Sequence, residues 1–85
     1  MEDSAADPAP ETPATLVDAR GYRCPVPTLR LRRALEKARP GGRVLLLADD
    51  PMARIDVPYL LAEAGADLVD SGVEGAVLSF LVEKR

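Results

Sequence analysis

The sequence predicts an α+β protein, namely a two-layer α/β sandwich in which a four-stranded mixed sheet carries two helices on one face. Short apolar runs typical of strands alternate with longer amphipathic segments typical of helices, and clusters of proline and glycine separate them. At 85 residues the chain has room for one small domain. The predicted order is β-α-β-α-β-β, with a right-handed β-α-β crossover.

Turn signals bound the elements of the first half. Residues 15–18 are a short strand candidate that stops at Arg20-Gly21. A helix is predicted from residue 25 or 27 to residue 38, where the sequence Arg-Pro-Gly-Gly at 39–42 ends it. One arc of this helix is apolar and should pack against the sheet. Its members are Pro27, Leu31, Ala34, Leu35 and Ala38.

In the second half, the apolar run at residues 44–48 is short enough for a strand in the interior of a sheet. Asp50 is predicted as the N-cap of a second helix, with Pro51 at its first position. This helix should run to about Ala64, with an irregularity at Pro58. The last strands are predicted at residues 67–71 and 77–83, joined through residues 72–75 as a hairpin or tight connection.

Residues 1–13 differ in composition from the rest of the chain. They contain three prolines, four acidic residues and no basic residue, so we expect a flexible acidic tail before a folded domain at 14–85. The domain then holds ten acidic and eleven basic residues. The N-terminus lacks the basic and apolar regions of a signal peptide, and no apolar run is long enough to span a membrane. We therefore expect a soluble cytoplasmic protein.

The inventory of reactive side chains restricts the chemistry. The chain has one cysteine, Cys24, and no histidine. These counts exclude an internal disulfide, a Cys/His zinc site and a histidine-activated nucleophile within one chain, and we predict no metal site. Eight basic residues and one acidic residue lie between positions 20 and 43, so one part of the domain is strongly positive.

Cys24 lies where the first predicted strand gives way to the first predicted helix. Because Pro25 follows it, Cys24 should be extended and act as the N-cap. The positive end of the helix, with Arg20 and Arg23 nearby, should lower the pKa of the thiol. Cys24 is therefore predicted to be a nucleophilic thiolate, although most lone cysteines are small buried apolar residues.

Two prolines shape the predicted turn at Cys24. Pro25 and Pro27 each lack an amide hydrogen, which leaves the amides of Val26 and Thr28 as candidate donors toward the sulfur. The residue before each proline is also discouraged from helical angles, so the turn should be rigid. We expect it to hold the sulfur outward.

Four elements of the sequence resemble the TusA family of small sulfur-carrier proteins, also called SirA-like. They are the run at 18–27 with its Cys-Pro-Val-Pro element, Pro40-Gly41, the Ala-Asp-Asp-Pro sequence at 48–51, and Asp-Val-Pro at 56–58. The resemblance covers residues 16–85. It implies a two-layer sandwich whose Cys24 accepts sulfane sulfur as a persulfide, with no cofactor other than that covalent sulfur.

The resemblance also implies partners. A cysteine desulfurase or a rhodanese-type protein would supply the sulfur, and an acceptor would pass it toward thiolated tRNA, molybdenum cofactor or sulfur oxidation. The chain would then be a sulfurtransferase-type carrier rather than a stand-alone enzyme. Such a carrier needs one nucleophilic thiol and no resolving cysteine, as here. The candidate partner-binding residues are Val26, Leu29, Arg30 and Arg33.

Three other functions are possible for residues in this part of the sequence. Cys24 and Arg30 have the C-x(5)-R spacing of cysteine-dependent phosphatases, but Pro25 and Pro27 remove amides that would cradle a phosphate. The basic helix face could serve an RNA-binding or regulatory module, yet three scattered aromatic residues form no stacking platform, which argues against direct nucleic-acid binding. Asp49 and Asp50 could form a metal or acid/base pair, although a helix cap explains Asp50 better.

Overall fold

A computed structural model describes residues 14–85 as a two-layer α+β sandwich, as the sequence predicts. The predicted tail at residues 1–13 lies outside the described residues. The elements are β1 (Thr15–Asp18), α1 (Val26–Lys37), β2 (Arg43–Ala48), α2 (Ala53–Ala64), β3 (Ala66–Glu74) and β4 (Val77–Lys84). Within the described part of the chain, no helix is long and apolar enough to cross a membrane.

The four strands form one mixed sheet in the order β1-β2-β4-β3. β1 pairs with β2 in parallel, whereas β4 pairs with both β2 and β3 antiparallel. Alternate residues of the two central strands are buried, because one face of the sheet packs against the helices. The core on that face includes Val44 and Leu46 of β2 and Phe80 and Val82 of β4.

Helix α1 buries the predicted apolar arc. Pro27, Leu31 and Leu35 are buried, and Ala34 packs against the core from a partly buried position. The helix ends where the backbone becomes extended at Ala38, just before the predicted Pro-Gly-Gly break. Packing of this arc fixes the N-terminal end of α1, and therefore Cys24, relative to the sheet.

Helix α2 begins later than the sequence predicts. Pro51 and Met52 form a turn, and the helix proper starts at Ala53 and continues through Pro58. The Asp50 carboxylate accepts a hydrogen bond from the Met52 amide, so it caps this turn rather than the α-helix. The helix ends at Gly65, whose φ of 70° is the left-handed conformation that glycine adopts most easily.

The final hairpin is longer than predicted. The strand predicted at 67–71 extends to Glu74, so residues 72–74 belong to β3 and are not a connection. Glu74 pairs with Val77, and the turn consists of Gly75 and Ala76, with Gly75 at a φ of 61°. The register shifts between Leu68 and Asp70. Pairing with a central strand extends β3 beyond its apolar positions, which sequence pattern alone does not reveal.

Candidate functional site

Cys24 is exposed in the connection between β1 and α1, at the N-terminal end of α1. The alternative of a buried apolar cysteine is therefore wrong. The predicted N-cap is also wrong, because α1 begins at Val26 and Pro25 occupies the cap position without a side-chain hydrogen bond. The Val26 amide donates to the Arg23 carbonyl at 2.9 Å, not to the sulfur. The Cys24–Pro25 peptide bond is cis.

Two adjacent aspartates after β2 hold the connection that carries Cys24. Both carboxylate oxygens of Asp49 lie 3.0 Å from the Gly21 amide. The Asp50 carboxylate accepts the Cys24 amide at 2.6 Å through one oxygen and the Met52 amide at 3.0 Å through the other. These amides, Cys24 first, hold the pKa of the Asp50 carboxyl below its usual value. The pair thus clamps the backbone of this connection. The helix-cap role that the sequence predicts for Asp50 is wrong, because its carboxylate binds an amide of the connection and an amide of the turn before α2.

The Cys24 sulfur faces a carboxylate. Its Sγ donates a hydrogen bond to Oδ2 of Asp56, in the first turn of α2, at 2.9 Å. This bond raises the pKa of the thiol, and the negative charges of Asp56 and Asp50 act in the same direction. The predicted lowering of the thiol pKa is therefore wrong. Cations next to Cys24 in the sequence predict a lower pKa, whereas the carboxylate that raises it lies 32 residues away on another helix.

The two arginines predicted to support the thiolate, Arg20 and Arg23, lie beside aspartates. Arg20 pairs with Asp18 through Nε and Nη2, at 2.8 and 2.7 Å. Arg23 contributes a favourable charge near Asp50. The guanidinium of Arg30 stacks over the ring of Tyr22, 4.3 Å from its centroid. Arg20 and Arg30 thus contact Asp18 and Tyr22, and Arg23 lies near Asp50.

A shallow cavity of about 220 Å³ opens beside Cys24 between α1 and α2. Its apolar lining includes Leu29 of α1 and Leu60 and Tyr59 of α2. At its far end Arg32 and Glu63 form an ion pair at 3.1 Å that links the two helices. The Cys24 thiol thus lies in the lining of a largely apolar cavity between the two helices.

The four predicted partner-binding residues lie together. Val26, Leu29, Arg30 and Arg33 line one groove along the outer side of α1. Leu29 also lines the cavity beside Cys24, so the groove and the cavity share an edge. The side chain of Leu29 is 56% exposed, so apolar surface is open to solvent where the groove meets the cavity.

The sequence analysis missed Asp56 and Tyr59. Tyr59 lines the cavity and is 69% exposed. Asp56 stands in the Asp-Val-Pro element used for the family resemblance, and the two residues are three apart on α2, a spacing that places both on one helix face. That spacing was a signal, but only the packing of α2 against α1 shows that this face meets the cysteine.

Among residues 14–85 no group of three or more His, Cys, Asp or Glu side chains could hold a metal ion. The groups available for chemistry at this site are the exposed thiol of Cys24 and the Asp56 carboxylate that contacts it, with an apolar surface beside them.

Comparison with known proteins gives two results. The family model described as "Sulfurtransferase TusA" matches residues 15–84, which is nearly all of the described part of the chain. A protein of Archaeoglobus fulgidus named "Putative sulfur carrier protein" is 41% identical over 68 residues, which cover 79% of this chain and 88% of that protein. The matched region includes every element of the site.

Proposed function

The chain belongs to the TusA sulfurtransferase family, and on that premise we propose that it carries sulfane sulfur as a persulfide on Cys24. The observation that supports the proposal most is the exposed Cys24 thiol at the edge of an apolar cavity. A carrier must present its sulfur to one protein and then to another, so an accessible sulfur on a rigid connection suits the task. The single cysteine also leaves no internal thiol to discharge the persulfide as a disulfide.

The proposed loading step is a thiol–persulfide exchange that moves one sulfane sulfur from the donor to Cys24 and one proton from Cys24 to the donor cysteine. The Cys24 thiolate attacks the outer sulfur of a persulfide on the donor, and a new S–S bond forms on Cys24. The S–S bond of the donor breaks, and the donor cysteine leaves as a thiolate that takes up the proton lost by Cys24. Onward transfer repeats the exchange with an acceptor thiol. Neither step requires an oxidant or a reductant.

The surface beside Cys24 is the proposed docking site for donor and acceptor. Leu29 and Tyr59 supply apolar contact on either side of the cavity, and Arg30 and Arg33 supply positive charge along the adjoining groove. Apolar contact excludes water from the transfer, and the charges attract an acidic partner surface. The donor is proposed to be a cysteine desulfurase or a rhodanese-type protein. The sulfur would pass in the cytoplasm toward tRNA thiolation, molybdenum cofactor or sulfur oxidation.

Incubation with a cysteine desulfurase and free cysteine, followed by intact-mass analysis, tests this proposal. The wild type is expected to gain the mass of one sulfur atom, and dithiothreitol should remove it. Cys24→Ser, which keeps the size and the exposure of the side chain, should gain nothing. Sulfur gain by Cys24→Ser, or none by the wild type with a donor that loads other carriers, would contradict the proposal.

A further inference from the structure

Asp56 is the one side chain of α2 that forms a hydrogen bond with the sulfur within the described chain. It is half-buried, and the distance from its Oδ2 to Sγ of Cys24 is 2.9 Å. We infer that Asp56 is a positioning residue for the sulfur transfer proposed above. It holds the Cys24 thiol, with its proton, in the free carrier, and the sulfur becomes nucleophilic when a docked donor breaks this bond or neutralises the carboxylate.

The chemistry of the two groups gives the contact a direction. In this bond the sulfur of Cys24 is the donor and Oδ2 of Asp56 is the acceptor, so the bond requires the hydrogen of the thiol. The bond therefore exists with the thiol and is lost with the thiolate, which would face a like charge at the same distance. Asp56 thus favours the protonated, unreactive form of Cys24 as long as it remains in contact.

The other charged groups around Cys24 do not reverse this effect. Asp50, from the connection between β2 and α2, adds negative charge and binds the Cys24 amide. Arg32 of α1 and Glu63 of α2 line the cavity but pair with each other. The positive charge of Arg23, the neighbour of Cys24 in the chain, adds to the amide hydrogen bonds that lower the pKa of the Asp50 carboxyl.

Position also matters, because the bond crosses between helices. Cys24 lies at the N-terminal end of α1 and Asp56 in the first turn of α2, at the edge of the cavity where a partner would dock. A partner group inserted there would meet Asp56 and the sulfur together. Release of the thiol would then be coupled to docking, which limits reaction of the free carrier with small thiols and oxidants.

The test is the pH dependence of Cys24 alkylation by iodoacetamide, which needs no donor. For Asp56→Asn we expect the midpoint of the profile to move to lower pH and the rate at pH 7 to rise several-fold. A thiolate of lower pKa is also a weaker nucleophile, with a Brønsted slope of about 0.4–0.5. The plateau rate at high pH should therefore fall in the same variant. Greater access to the sulfur alone would raise both rates.

Glu63→Gln is the matched control, because it removes the same charge from the same helix and cavity without a contact to Cys24. Its profile should follow the wild type, and Asp56→Glu, which keeps a carboxylate, should stay closer to the wild type than Asp56→Asn. A midpoint that moves to higher pH in Asp56→Asn would make Asp56 a base and overturn the inference. A profile of Asp56→Asn that matches Glu63→Gln would overturn it as well.

A measurement on the wild type does not depend on the folding of any variant. The alkylation midpoint of the native protein should lie above that of the same chain unfolded in urea, and a midpoint at or below it would overturn the inference. Sulfur loading by a desulfurase is scored separately by mass. Failure of the inferred role of Asp56 is thus distinguishable from failure of the proposed carrier function.

Discussion

Replacement of Leu29 by alanine removes apolar surface that we place in contact with a sulfur donor. Full burial of a leucine side chain contributes about 1.5–3 kcal/mol. Since 56% of Leu29 is exposed in the free protein, the part that a donor can still bury corresponds to about 0.8–1.7 kcal/mol. At 1.4 kcal/mol for each factor of ten, the affinity for the donor should fall roughly 4- to 16-fold.

The assay is the initial rate of sulfur loading as a function of carrier concentration, with desulfurase and cysteine held constant. Leu29→Ala should raise the KM for the carrier by that factor and leave alkylation of Cys24 by iodoacetamide unchanged. Leu68→Ala is the matched control, because Leu68 is 45% exposed on β3 and lines a groove apart from Cys24. Equal effects of the two substitutions, or no effect of Leu29→Ala, would refute the docking argument.

Three further predictions concern the frame of the site. Leu31→Ala leaves a cavity at a fully buried position on α1 and should lower the free energy of unfolding by about 2–5 kcal/mol. For a domain of this size the melting temperature, followed by circular dichroism, should then fall by at least about 8 °C. An unchanged melting curve would show that α1 is not packed as described. Asp50→Ala removes the acceptor of the Cys24 amide, so hydrogen exchange at that amide should become faster while exchange at the core strands stays the same; an equally slow Cys24 amide would contradict the clamp. Arg20 holds the pKa of the Asp18 carboxyl at about 2, below the usual 3.8. A carboxyl whose pKa is lower in the folded state stabilises the fold at any pH above its unfolded-state pKa. That stabilisation is lost as the pH falls toward the folded-state pKa. The urea midpoint should therefore decrease between about pH 4 and pH 2, and Asp18→Asn should make that decrease smaller; an identical decrease in the variant would count against the ion pair.

The fold is largely predictable from the sequence because its elements have strong local signals. Residues 15–18 and the apolar run at 44–48 match β1 and β2 to within one residue, and the apolar arc of α1 identifies its buried face. The errors arise where tertiary contacts override local pattern. Residues 72–74 contain a glycine and a charge, yet they belong to β3 because β4 offers a pairing partner along that whole length.

The site is predictable in part. Proline and glycine signals place Cys24 between a strand and a helix, and the structure agrees. The ionisation of its thiol is not predictable in the same way, because it depends on Asp56, which is distant in sequence. Asp49 and Asp50 show the same limit, since their adjacency suggests a cap but not the two loop amides that they bind. Local pattern locates the cysteine between its strand and its helix, whereas its electrostatic surroundings come from tertiary packing.

Delivery of sulfur from Cys24 is the measurement that tests the central claim most directly. The protein is loaded, separated from the desulfurase and mixed with an excess of acceptor thiol, and the masses of both species are followed with peptide mapping of the added sulfur. We predict that the sulfur maps to the peptide containing Cys24, leaves it with time and appears as a persulfide on the acceptor. Sulfur that maps elsewhere, or that stays on the protein, would contradict a carrier role for Cys24.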